Sequence, residues 1–212
     1  MKKLLLLILL VCMIPVAVKG QKKNKHELRA ERIDAICDSL KSYYTETESG
    51  LEFSRVIQAP NYPNKDELYN KCLELMATAY KDAKEVIQNK DKEQGLIFGK
   101  GVFVRDVMSP LGVNTYKKSE HTIKVEVKEG RFKVTLALDN MYMKISATGR
   151  FGTTSEYTYP IKSFYPFWKE CPLKKVDDSF NTILFCFTDA ISILDYFEKG
   201  VSKPTSSSSD DW

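Results

Sequence analysis

The run Gly95-Leu96-Ile97-Phe98-Gly99-Lys100-Gly101 resembles a loop built to cradle phosphate. Such loops work because glycines let backbone N–H groups converge on an anion while a lysine neutralises its charge. That chemistry needs four residues between the first glycine and the Gly-Lys pair, then Ser or Thr for magnesium. Here only Leu96, Ile97 and Phe98 intervene, and Gly101 stands in the hydroxyl position. The context is also reversed. A phosphate loop leaves a strand and opens a helix, whose N-terminus holds the anion. This run follows a helical pattern and opens a strand-like one. It is therefore expected to be strand, with Gly99 and Gly101 allowing a bulge or a bend that curves the sheet. Lys100 is not expected to bind phosphate.

Other chemistries find even less support. The two histidines, His26 and His121, lie far apart and show no zinc-ligand spacing. A Cys-His nucleophile would need His121 beside Cys72 or Cys186, and both cysteines fall on apolar helical faces that disfavour a thiolate. The adjacent acids Asp177-Asp178 suit a helix cap, and Asp210-Asp211 lie in a tail. Neither pair shows the convergent, differently tuned carboxylates of a glycosidase. No catalytic residue, cofactor or metal site is assigned. The one unusual feature is an aromatic segment over 151–168, broken by Pro160 and Pro166. Its Tyr157, Tyr159, Phe164, Tyr165, Phe167 and Trp168 form the candidate binding surface. These rings could stack on glycan, dock a partner or touch lipid. They could equally pack over a sheet face or a helix end.

Several elements must position these residues. Leu28, Ile33, Ile36 and Leu40 recur at helical spacing and predict an amphipathic helix within 24–46. A strand follows at 51–59, rich in β-branched residues and stopped by Pro60. Asn64 and Glu67 then form a capping box for a helix over 65–88, whose apolar face runs through Leu68, Cys72, Leu75, Ala79, Ala83 and Val86. A strand is expected from Gly95, then a polar loop over 108–120. Ile123, Val125 and Val127 alternate into a turn at Glu129-Gly130, and Phe132, Val134, Leu136 and Leu138 alternate out of it. Asp139-Asn140 is expected to interrupt before a further strand through Met141, Met143 and Ile145. A second long helix is capped by Asp177 or Asp178 and ends at Lys199-Gly200. The Ser-rich tail 201–212 is expected to be disordered.

The N-terminus reads as a secretory signal over 1–20. Lys2 and Lys3 precede an apolar stretch of 15 residues, Leu4 to Val18, and Val18-Lys19-Gly20 offers a cleavage site before Gln21. That stretch is shorter than the ~20 residues of a membrane-spanning helix. Removing Lys2, Lys3 and Lys19 leaves 29 basic against 28 acidic residues, so a net charge of +4 becomes +1. No basic footprint for nucleic acid remains. The mature chain is expected in the periplasm or outside the cell, with no transmembrane span. There Cys37, Cys72, Cys171 and Cys186 could oxidise in three pairings, although Cys72 fits a buried apolar position better.

Taken in order, "VIQAP", "KDELYNKCLELMA", "AKEVIQNKDKEQGLIFGKG" and "IKVEVKEGRFKVTL" resemble a family of exported Bacteroidota proteins. The shared domain of that family is domain of unknown function 4468. The resemblance spans about 51–145. It implies an α+β domain over 51–200 with a TBP-like curved antiparallel sheet and two long helices on one face. It implies no DNA binding, because a fold does not fix a function, and it supplies no catalytic residues. The reading that follows is an exported, non-enzymatic binding module whose partner is an envelope protein or a glycan. The alternatives are a glycan-acting enzyme with dispersed acids and a structural subunit assembling through the N-terminal helix.

Overall fold

Local chemistry opens both early helices. Asn24 and Glu27 form a reciprocal cap: the Asn24 side chain accepts from the Glu27 N–H at 2.9 Å, and the Glu27 carboxylate accepts from the Asn24 N–H at 3.1 Å. Helix α1 then runs over Lys25–Leu40, followed by a 3-10 turn at Lys41–Tyr43. Asn64 caps α2, Lys65–Ala79, by accepting from the N–H groups of Asp66 and Glu67. The computed structural model describes residues 24–80, 86–108, 112–147, 152–161 and 173–202.

Seven strands build one antiparallel sheet: β1 Thr45–Glu46, β2 Leu51–Gln58, β3 Ile87–Asp91, β4 Leu96–Met108, β5 Val113–Lys128, β6 Arg131–Ala147 and β7 Thr154–Pro160. Their order is β1-β2-β6-β5-β4-β3, with β7 beside the distal half of β6. A third helix, α3, spans Leu173–Ser202. The β5–β6 turn falls at Glu129-Gly130, where Gly130 takes a φ of +65° that a side chain would resist.

Period-two alternation sorts the sheet into two faces. Leu51, Phe53 and Ile57 of β2, Ile123, Val125 and Val127 of β5, and Phe132, Val134, Leu136 and Leu138 of β6 are buried on the inner face. They form one core with Leu68, Cys72, Leu75 and Met76 of α2 and with Phe187, Leu194 and Phe197 of α3. Phe187 meets Phe53 edge-on at 5.2 Å and Tyr44 at 5.0 Å. Arg55 ties β2 to α3 through Asp195 at 2.8 Å and Glu198 at 2.6 Å. The outer face carries Ser54, Val56, Lys100, Val102 and Val104 to solvent. Among the described residues, no helix is long and apolar enough to cross a membrane.

The structure corrects several expected boundaries. The helix begun at Lys65 ends at Ala79 rather than at 88, because Ile87–Asp91 pairs with β4 through the turn at 92–95. Val86 itself is helical, and the hairpin ladder takes over from Ile87. The expected polar loop over 108–120 is mostly strand, since β4 runs to Met108 and β5 starts at Val113. Polar side chains sit comfortably there because one face of the sheet is open to water. Asp139-Asn140 does not end a strand. The β5–β6 register slips between Glu120 and His121, leaving Asp139 as the extra residue of a bulge within continuous β6. Helix α3 passes through Lys199-Gly200 and ends at Ser202, and it begins before Asp177. Gly200 is there for contact, not termination: a Cβ on it would fall 2.3 Å from Leu75 Cδ2. In α1, Leu40 is buried in the core whereas Leu28 is 48% exposed.

Candidate binding surfaces

Tyr157 and Tyr159 lie on a strand, not on the loop expected for 151–168. Register with β6 sets Tyr157 opposite Met143 and Tyr159 opposite Met141. Both rings therefore stand on the same face of β7 as the core residue Met141. The rings stack at 5.8 Å between centroids with 19° between planes. They remain 43% and 38% exposed, so this stack is presented to solvent rather than consumed by the core. Phe164, Tyr165, Phe167 and Trp168 lie outside the described residues, as does the expected signal segment 1–20. Sequence reading missed a second aromatic pair on the outer face. Tyr116 and Tyr142 meet edge-on at 6.3 Å, and Tyr116 was hidden within the expected loop.

The glycine-rich run is strand from Leu96 onward, as expected, but its glycines do a different job. A Cβ on Gly99 would fall 2.5 Å from Met76 Cε and 2.8 Å from the Val86 carbonyl oxygen. A Cβ on Gly101 would fall 2.5 Å from the Tyr80 ring and 2.6 Å from His121 Nε2. The glycines let the end of α2 and the segment after it press onto β4. No bulge occurs in β4 itself; the nearby irregularity is on β3, between Ile87 and Asn89.

Beside these glycines lies a groove of about 810 Å³ lined by Tyr80, Val86, Lys100, Val102, His121 and Asn140, among others. His121 forms its floor. It is 3% exposed, shares a 2.8 Å hydrogen bond with the Tyr80 hydroxyl through Nε2, and stacks on Phe103 at 4.0 Å. Burial pushes its pKa down to about 4, opposed in part by the Ser119 backbone. Burial likewise raises the Tyr80 hydroxyl well above its ordinary range, so both groups are neutral at pH 7. The sequence did carry a signal for this cluster: His121 is in phase with Ile123, Val125 and Val127.

The groove is poorly suited to proton transfer at neutral pH. His121 is held neutral far from its ordinary range. Glu120 pairs with Lys118 at 2.7 Å, and that hydrogen bond draws its carboxyl below the usual range. Cys72 and Cys186 are buried free thiols, and burial pushes both up to about 12. They behave as apolar core residues. The Cys37 side chain and Cys171 lie outside the described residues. Among the described residues, no three His, Cys, Asp or Glu side chains are placed to hold a metal ion.

The central strands, α2 and the β5–β6 hairpin are also the part of the chain that matches a known family. Residues 53–140 match the family described as a domain of unknown function (DUF4468) with TBP-like fold. The resemblance seen in the sequence is thus shown, and the α+β, TBP-like architecture with it. A crystal structure of a DUF4468 family protein from Bacteroides ovatus superposes with a TM-score of 0.55 at 16% identity, covering 79% of this chain and 97% of that one. A TBP-like protein from Parabacteroides distasonis gives a TM-score of 0.48 at 13% identity, covering 73% and 96%. At 16% identity the likeness to the Bacteroides ovatus protein is one of fold. No curated protein matches the chain.

Proposed function

We propose that the chain is an exported, non-enzymatic binding module of the cell envelope, and that the edge of β7 is its contact surface. The observation that carries this reading is the Tyr157–Tyr159 stack, two parallel rings left exposed on one face of a terminal strand. Aromatic rings of this kind combine apolar area with a polar tip and lose little conformational freedom on binding. A flat pair suits the apolar face of a sugar ring or a planar group on a protein partner. Export rests on Lys2, Lys3 and the apolar run 4–18.

An enzyme acting on glycan is the less favoured reading. A general acid at neutral pH needs a raised carboxyl pKa, and Glu120, which lines the groove together with Asp139, shifts the other way. The direct test measures retention of the chain on washed envelope material, with and without the two tyrosines. Loss of retention in a folded Tyr157→Ala/Tyr159→Ala variant supports the reading, and unchanged retention removes it.

A further inference from the structure

We propose that two copies of the chain pair edge to edge through residues 100–106 of β4, antiparallel about a two-fold axis at Phe103. Strand β3 covers β4 only as far as Gly99, through the Ile87↔Gly99 pair. Beyond that point, among the described residues, β4 has a strand neighbour on one side only, β5. Such an edge offers unpaired backbone N–H and C=O groups to another strand. This edge is also apolar for a surface strand: Val102 is 47% and Val104 41% exposed.

The order of its side chains selects the occupant. A two-fold axis at Phe103 pairs residues whose numbers are equally spaced about it, so each residue meets one on the same face of the partner sheet. On the outer face, Lys100 then meets Asp106 of the other copy, and Val102 meets Val104. Both pairs recur across the axis with the copies exchanged. Opposite charges and β-branched neighbours are the cross-strand pairs that stabilise a sheet. On the inner face these side chains are already engaged within their own copy, Phe103 with His121, Gly101 under Tyr80 and Arg105 with Asp189 at 2.9 Å, so the outer-face pairs set the register. Moving the axis to Val104 sets Val102 against Asp106, and moving it to Arg105 sets two arginines together. The Phe103 axis joins charge and apolar pairs at once, so the strand complements itself. The partner is accordingly a second copy of this chain.

The test is sedimentation of the purified full chain across a concentration series, alone and in charge-reversed forms. Asp106→Lys sets lysine against Lys100 of the partner, and Lys100→Asp sets aspartate against Asp106. Both positions are exposed, and unchanged melting confirms that each variant folds. The wild type should form a concentration-dependent dimer, and each variant alone should dimerise at least about tenfold more weakly. An equimolar mixture of the two variants should recover the dimer, because lysines then face aspartates at both ends. A wild type that stays monomeric overturns the proposal. So does a dimer that neither variant weakens, or a mixture that behaves as its separate components.

Discussion

Gly101 lies directly opposite His121 across the β4–β5 ladder, and a single methyl on Gly101 would fall 2.6 Å from His121 Nε2. The imidazole cannot easily retreat, because Phe103 stacks on it and the Tyr80 hydroxyl holds Nε2. The glycine that looked like part of a phosphate loop is therefore a packing requirement of a buried aromatic cluster.

Gly101→Ala should lower stability by ~1–3 kcal/mol, the usual cost of forcing an extra methyl into a filled site. Urea denaturation measures this. Adding Tyr80→Ala, which removes the nearer obstacle at 2.5 Å, should make the double variant less unstable than the two single losses summed. Strict additivity would show that the two positions do not share this space.

The same histidine predicts a pH dependence. Unfolded, it titrates near 6.5; folded, it does so only near 4, because burial penalises the charge. Between those values the unfolded chain binds a proton that the folded chain refuses. Its contribution to stability is thus complete above 6.5 and declines as pH falls toward 4, reaching roughly 2–3 kcal/mol of loss by pH ~4.5. His121→Gln should remove this limb. Equal pH slopes for wild type and variant between pH ~7 and ~4.5 would refute the assignment.

Leu75 joins α2 to α3 at the close approach permitted by Gly200, and it is 4% exposed. Leu75→Asp should cost several kcal/mol, at least about 4, because it buries a charge with no partner. Gly200→Ala should cost less, ~1–3 kcal/mol, since the clash is with the flexible end of a leucine. A Leu75→Asp variant that melts like wild type would place this face in solvent.

Much of the fold was legible where one force acted alone. The alternation of Ile123, Val125 and Val127 fixed a strand and its inner face, and Asn64 fixed the start of α2 by accepting from the Asp66 and Glu67 N–H groups, the Asn64 half of the expected capping box. Legibility failed where a distant partner decided. Ile87–Asp91 became strand through its pairing with β4, which helical spacing alone does not reveal. Val113 to Lys118 looked like a loop because an open outer face tolerates polar residues in a strand. Gly200 looked like a helix stop because the approach of Leu75 is a tertiary fact. For the candidate surface, the sequence left open whether Tyr157 and Tyr159 pack or face solvent, and the structure leaves them 43% and 38% exposed. Their alignment came from pairing with β6, which the prolines nearby had obscured.

Export can be checked without knowing any partner. Cleavage after Gly20 should leave Gln21 as the first residue of the chain recovered from its host. Intact-mass measurement reads this directly, and retention of Met1 would contradict it.

The contact role of β7 is tested most directly by binding of the Tyr157→Ala/Tyr159→Ala variant to washed envelope material, measured beside wild type, with melting followed on the same samples. Both side chains are substantially exposed, so the variant should melt close to wild type. Its affinity should fall by ~2 kcal/mol or more, about thirtyfold, as expected for aromatic residues at the centre of an interface. A variant that binds as wild type does while remaining folded would contradict the account, as would one whose lost binding is matched by lost folding.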